Sequence, residues 1–228
     1  MAQITTMQAT VWHSRMMSDP GIGDKPGLAA KWPGCDWEPA THVHTAPSPP
    51  GRLEAVMSYA RGEPLPREAF PEALHVFDRR RFERLADLSA AGGFYLVKGR
   101  LAQILARCDL GQGGLITIPV YQEDKLTPVI GEFYIWVFSD QKQAFLPEQS
   151  RRVRPAGIGL SIVKDRWNVS ADVEDDDIAL SAAAVCEPPD VWCDRKLTWS
   201  LFFSDALVGA MRAARIKTDL SLTRCRLV

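Results

Sequence analysis

The apolar positions of this chain fall into two stretches that echo each other. Residues 92–121 read GGFYLVKGRLAQILARCDLGQGGLITIPVY, and residues 199–228 read WSLFFSDALVGAMRAARIKTDLSLTRCRLV. Each has a short apolar run, one or two polar residues, a segment with helical spacing, a loop and a second apolar run. Leu101 takes the place of Leu207, Leu105 that of Met211 and Ala106 that of Arg212. The pattern predicts two strand–helix–strand units, with Leu101, Leu105, Leu207 and Met211 facing a core. Ser204 is placed to cap the second helix, over Asp205–Ala214, by accepting from a free backbone N–H.

The rest of the pattern gives an α+β protein with mixed or antiparallel sheets and a few packed helices. GEFYIWVF at 131–138 is aromatic and β-branched, and almost continuously apolar after Glu132, so it reads as a strand covered on both faces. Leu115–Tyr121 has strand composition, with Pro119 placing it at an edge or a bulge. QEDKLTP joins these two as a hairpin-length connection. Gly159–Val163 and Ile178–Val185 are weaker strands, and Leu220–Val228 closes the chain as a strand. Phe70–Leu88 carries Leu74, Phe77, Phe82, Leu85 and Leu88 at three- to five-residue intervals and predicts a helix, with His75 packed inside it.

Residues 1–65 differ from residues 66–228. They hold three of the seven tryptophans (Trp12, Trp32, Trp37), three of the four histidines and a dense set of Pro and Gly. Recurrent Pro and Gly exclude a long helix there, and the tryptophans argue against free disorder. An extended arm that wraps the domain with its aromatic side chains is the expectation, with one short strand near Thr10–His13. The chain is long enough to bury a core without metal or disulfide support. Lys and Arg number 27 against 28 Asp and Glu, a formal charge of -1, which argues against a nucleic-acid partner. Five scattered cysteines do not form a disulfide framework and read as reduced thiols of a cytoplasmic protein. Neither a signal peptide nor a membrane span is expected.

Candidate chemistry is sparse. His42 and His44 are alternate residues that could share one face toward a metal, but two solvated histidines in a loop is the plainer reading. Cys186 and Cys193 match neither a redox pair nor a zinc knuckle; Pro188-Pro189 stiffens the bend between them, and Trp192 is expected in the core. GQGG at 111–114 lacks the rest of any phosphate or dinucleotide fingerprint and reads as a turn. No nucleophile elbow or metalloprotease motif is present. The most polar feature is Asp172, Glu174, Asp175, Asp176 and Asp177. Such a run is ordinarily a solvated loop; its functional reading is a docking rim for a basic partner. The runs Arg79–Arg81 and Arg151, Arg152 and Arg154 are expected to offset this acidic charge within the molecule.

GEFYIWVFSDQKQAFLPEQSRR, and the ending DVWCDRKLTWSLFFSDALVGAMRAARIKTDLSLTRCRLV, resemble a known pattern. An aromatic strand is followed by a polar turn and a basic segment. Asp-Val-Trp, a spacer and Leu-Phe-Phe-Ser-Asp then lead into a Leu- and Ala-rich helix and a closing strand. The family is immunity-protein group eleven of bacterial polymorphic-toxin systems, and the resemblance spans roughly residues 70–228. Arg215–Asp219 stands where the family has a Gly-containing turn, and residues 1–65 have no counterpart. The resemblance implies a non-catalytic cytoplasmic protein, without cofactor or metal, that binds and neutralises a cognate protein toxin. The alternative class is an enzyme using His13, His42 or His44 in a cleft roofed by the N-terminal arm. An enzyme calls for a deep pocket with convergent polar groups, a toxin-binding protein for a broad shallow surface, and a secretion-apparatus subunit for a large apolar oligomer face. With a self-sufficient core, the thermal midpoint should be unmoved by chelator or reductant; a fall of many degrees on chelation, followed by calorimetry, would instead point to a metal at His42 and His44.

Overall fold

The computed structural model describes residues 10–18, 22, 27–39, 49–158, 161–185, 188–218 and 220–228. In chain order its elements begin with β1 (Val11–Ser14), β2 (Leu28–Lys31), α1 (Arg52–Ala60), β3 (Ala73–Val76), α2 (Arg79–Phe82), β4 (Leu88–Ala91), β5 (Phe94–Lys98) and α3 (Gly99–Leu105). There follow β6 (Gly114–Thr117), β7 (Val120–Tyr121), β8 (Phe133–Val137), β9 (Gln141–Lys142), β10 (Val153–Ile158) and β11 (Ser161–Val169). The last are β12 (Ala179–Leu180), α4 (Ala182–Val185), β13 (Val191–Asp194), β14 (Leu201–Ser204), α5 (Asp205–Ala213), β15 (Leu222–Arg224) and β16 (Arg226–Leu227). This is an α+β architecture.

The echo in the sequence is an echo in space. β5, α3 and β6 form one strand–helix–strand unit, and β14, α5 and β15 form the other. In neither do the two strands pair with each other. β8 lies between β5 and β6, antiparallel to both, and β1 lies between β14 and β15, antiparallel to both. The outer hairpin partner is also repeated: β4 flanks β5 as β13 flanks β14. The sheet orders are therefore β4-β5-β8-β6 and β13-β14-β1-β15, with β9 added beyond β13. The strand filling the slot comes from the C-terminal side in the first unit and from the N-terminal side in the second. α3 and α5 pack against each other, and Leu101, Leu105, Leu207 and Met211 are all buried in one core shared by both units.

Each helix start is held by an aspartate placed just before the outer strand. Asp87 accepts Lys98 N–H on its carbonyl at 3.0 Å, and its carboxylate accepts Arg100 N–H at 3.1 Å and Leu101 N–H at 3.4 Å. Asp190 accepts Ser204 N–H on its carbonyl at 2.9 Å, and its carboxylate holds the Ser204 hydroxyl, which in turn accepts Leu207 N–H at 3.2 Å. The second helix thus has the expected serine cap. The first, preceded by Lys98, takes its acceptor from another strand's entrance, satisfying donors the helix cannot satisfy itself. Gly99 has φ +56°, and a Cβ there would sit 2.8 Å from the Asp87 carboxylate, so glycine is required at this turn.

Residues 1–65 contribute more than a wrapping arm. β1 is an inner strand of the C-terminal sheet, and β2 pairs with β3. Trp32 is buried, as an enclosing aromatic should be, but so is Tyr59 of α1. The Tyr59 hydroxyl donates to the Trp136 carbonyl at 2.5 Å and accepts Tyr95 N–H at 3.2 Å, while its ring packs on Phe94 and Phe138. No boundary near residue 65 divides these sheets.

Four other elements differ from expectation. The helix expected over Phe70–Leu88 is β3 followed by the single turn α2. All four β3 residues are buried between β2 and β7, and backbone pairing on both edges overrides the helical spacing; Asp78 then caps α2 through Arg81 N–H. Pro119 divides Leu115–Tyr121 into β6 and β7, which join different sheets. Ile178–Val185 is strand only at β12 and then turns into α4. The closing strand likewise divides: β15 pairs with β1, and β16 runs parallel to β12. Of the strand expected over Gly159–Val163, Gly159 and Leu160 lie outside the described residues, and the remainder falls in β11, which pairs antiparallel with β10. Replacing Leu207 by Ala should cost about 2–5 kcal/mol; denaturant unfolding of the variant measures it, and a loss below about 1 kcal/mol would mean that the paired helices do not anchor the core.

Candidate interaction surface

The acidic tract folds back on the protein. The Arg152 guanidinium bridges Asp172 at 2.8 Å, Glu174 at 3.1 Å and Asp177 at 3.1 Å. Arg151 meets Asp177 at 3.0 Å. Arg224 pairs with Asp176 at 2.7 Å and donates its backbone N–H to Asp175 at 2.8 Å. Arg151 and Arg152 therefore offset the acidic tract, whereas Arg79 and Arg81 pair with Glu83 and Asp78 instead. Asp177 is buried and also accepts Glu174 N–H at 3.0 Å, which makes it a strut of the loop and not a rim charge. Hydrogen bonding from the Ser170 side chain, with help from Arg152, holds the Asp172 carboxyl below its ordinary range, and Arg224 does the same for Asp176. Asp172, Glu174 and Asp175 remain exposed. The tract also covers an edge: Asp176 N–H donates to the Arg224 carbonyl at 2.8 Å, so both backbone groups of Arg224 on the outer side of β15 are occupied.

The residues considered for catalysis are placed elsewhere. His13 on β1 is wholly buried, with Nε2 3.1 Å from the Ser200 hydroxyl and Nδ1 3.3 Å from that of Thr223. Burial, aided by the Arg15 charge, pushes it down to about 3, so it is a neutral core group near pH 7. His75 is buried on β3 with its ring edge-on to Trp37, and burial lowers its pKa. Its role is packing, as expected, though on a strand. Cys193 is pushed up to about 12 by burial, and Cys225 is also raised by burial; both are the opposite of an activated thiolate. Trp192 is buried and stacks on Phe202. His42, His44 and Cys186 lie outside the described residues. Among the described residues, Cys35, Cys108, Cys193 and Cys225 are free thiols, no group of three or more metal-ligating side chains occurs, and no helix is long and apolar enough to cross a membrane.

What the sequence reading missed lies beside α3. A cleft of about 1030 Å³ opens between that helix and the β6–β8 side of the first sheet, with Phe82, Leu115, Ile130 and Tyr134 in its walls and Glu83, Lys98 and Glu132 as its charges. Ile130 is 99% exposed, and Leu126, at the tip of the β7–β8 connection, is 80% exposed. That connection is firmly built. Gln122 N–H donates to the Thr127 carbonyl at 2.7 Å, and Val129 N–H to the Val120 carbonyl at 2.8 Å. Asp124 accepts Leu126 N–H at 2.9 Å and Thr127 N–H at 2.8 Å. Leu126 is thus presented to solvent on a hydrogen-bonded turn, and Ile130 follows it at the entrance to β8. The signal available in the sequence was an apolar residue at a polar turn, Leu126 in QEDKLTP, and a second before Gly131.

No protein-family model and no curated protein matches the chain. The depressed His13 makes a pH prediction. Its folded pKa lies below the unfolded value near 6.5, so the unfolded chain binds the extra proton between about pH 6.5 and 3. The His13 contribution is then complete above the upper limit and lost as pH falls through the window, by up to about 1.4 kcal/mol per pH unit. Urea unfolding at stepped pH should show a shallower acid loss for His13→Gln than for the wild type; equal slopes would mean that the imidazole charges freely in the folded protein.

Proposed function

We propose that the protein is a non-catalytic immunity protein, which binds a cognate bacterial toxin and neutralises it within the producing cell. The resemblance of residues 70–228 to that family motivates the reading. The observation that carries it is Ile130, an almost wholly exposed aliphatic residue in the wall of a wide cleft. Scattered apolar residues on a surface are ordinary, but an almost wholly exposed aliphatic residue lining an apolar-walled cleft is the form of an interface centre, where burying a large side chain in a preformed site contributes most of the affinity. The buried, neutral His13 and the raised thiols of Cys193 and Cys225 are suited to packing and do not favour the enzyme alternative. Asp172, Glu174 and Asp175 remain available as outlying charges that speed encounter with a basic partner.

The test is coexpression with the toxin encoded beside the gene, followed by purification and titration calorimetry. A stable one-to-one complex and restored growth are the expected results. Growth inhibition that persists with the protein present, with no complex formed, would reject the reading.

A further inference from the structure

The two repeated units close their outer edges differently. In the second, the acidic tract occupies both outward backbone groups of Arg224 on β15. In the first, the corresponding edge strand is β6, which ends its sheet. Ile118 N–H donates to the Phe133 carbonyl at 3.0 Å, and this fixes the alternation along the β6–β8 ladder. Gly114 and Ile116 exchange bonds with β8, whereas Leu115 and Thr117 turn their N–H and C=O groups outward. Among the described residues no hydrogen bond reaches those outward groups. Thr117 is exposed and Leu115 half-buried, and Leu115 also lines the cleft that holds Ile130.

An open edge is a template for another strand, and strand addition draws affinity from backbone bonds and selectivity from pockets for alternate side chains. Here the backbone template and the apolar pocket adjoin. The charges narrow the occupant. Of the cleft's charges, Glu83 already holds Arg79 at 2.8 Å and Lys98 stands at the head of α3, so exposed Glu132, which is hydrogen-bonded to the Tyr134 side chain, is the carboxylate on the rim that can also meet a cation. We propose that β6 and the cleft take an extended segment of the partner protein as an added strand. One large apolar side chain of that segment enters the cleft beside Ile130, and a basic residue lies near Glu132. This proposal rests on the toxin-binding reading and names its binding mode.

Amide hydrogen exchange on the wild-type protein, free and with the purified toxin, reads the edge directly. Leu115 and Thr117 amides should exchange fast in the free protein and slow at least about tenfold in the complex, while Gly114 and Ile116, already bonded to β8, change little. Thr117→Pro removes an outward N–H without breaking a bond to β8, and Ile130→Glu alters a side chain that packs on nothing. Each should weaken binding about tenfold or more with an unchanged thermal midpoint. If the toxin binds both variants as tightly as the wild type and leaves Leu115 and Thr117 unprotected, the edge proposal is wrong while the immunity reading stands. If the toxin does not bind the wild type, both fall. If light scattering finds a dimer of the free protein that Thr117→Pro makes monomeric, the occupant is a second copy of the chain, and the proposed toxin segment is ruled out.

Discussion

Two slots organise this molecule. A strand–helix–strand unit whose strands stand apart leaves inward-facing N–H and C=O groups on both, and those groups cannot stay unpaired inside a protein. β8 fills the first slot and β1 the second. Once they are filled, the rest follows. The sheets become continuous, α3 and α5 can lie against each other over them, and the shared core of Leu101, Leu105, Leu207 and Met211 becomes one body. The aspartates at 87 and 190 then fix each helix to its sheet through the same backbone bond, from the residue preceding the helix to the aspartate carbonyl.

That repeated frame also explains what each copy can specialise. In the second copy the loop after β11 supplies acidic residues that close the β15 edge and hold Arg152 and Arg224. In the first copy the chain leaves β6 through Pro119 for another sheet, and the edge stays open beside the cleft. The acidic tract therefore covers the β15 edge while keeping Asp172, Glu174 and Asp175 exposed, and the apolar side chains Leu126 and Ile130 face outward. The arrangement departs from the simplest reading of the sequence, in which apolar residues are core and the acidic run makes no contacts within the molecule.

Much of the architecture was legible because local and global signals agreed. The apolar spacing of LAQIL and ALVGAM, with a serine or glycine at each helix entrance, marks the same unit twice, and GEFYIWVF is a strand by composition alone. The failures have a common cause. Leu74 and Val76 have helical neighbours at plausible spacing, yet their backbone is claimed by β2 and β7, whose approach no local pattern reveals. A strand near Thr10–His13 was recognisable, but its place between two strands from much later in the chain was not. The exposed cleft wall and the open β6 edge escaped for a related reason: exposed Ile130 looks like a core residue in sequence, and an unpaired strand edge has no residue signature.

The origin of the second slot's strand has a consequence for biosynthesis. The first unit can assemble soon after its residues leave the ribosome, because β4 through β8 are near neighbours in the chain. The second cannot. Its middle strand is made well before its flanking strands, so β1 must wait unpaired until β14 and β15 have been synthesised, with Val11 and Trp12 lacking their eventual cover. Such long-range closure slows folding and prolongs exposure of an unpaired strand. The finished sheet then joins segments far apart in the chain, so that separating β14 or β15 from it opens one side of the same strand.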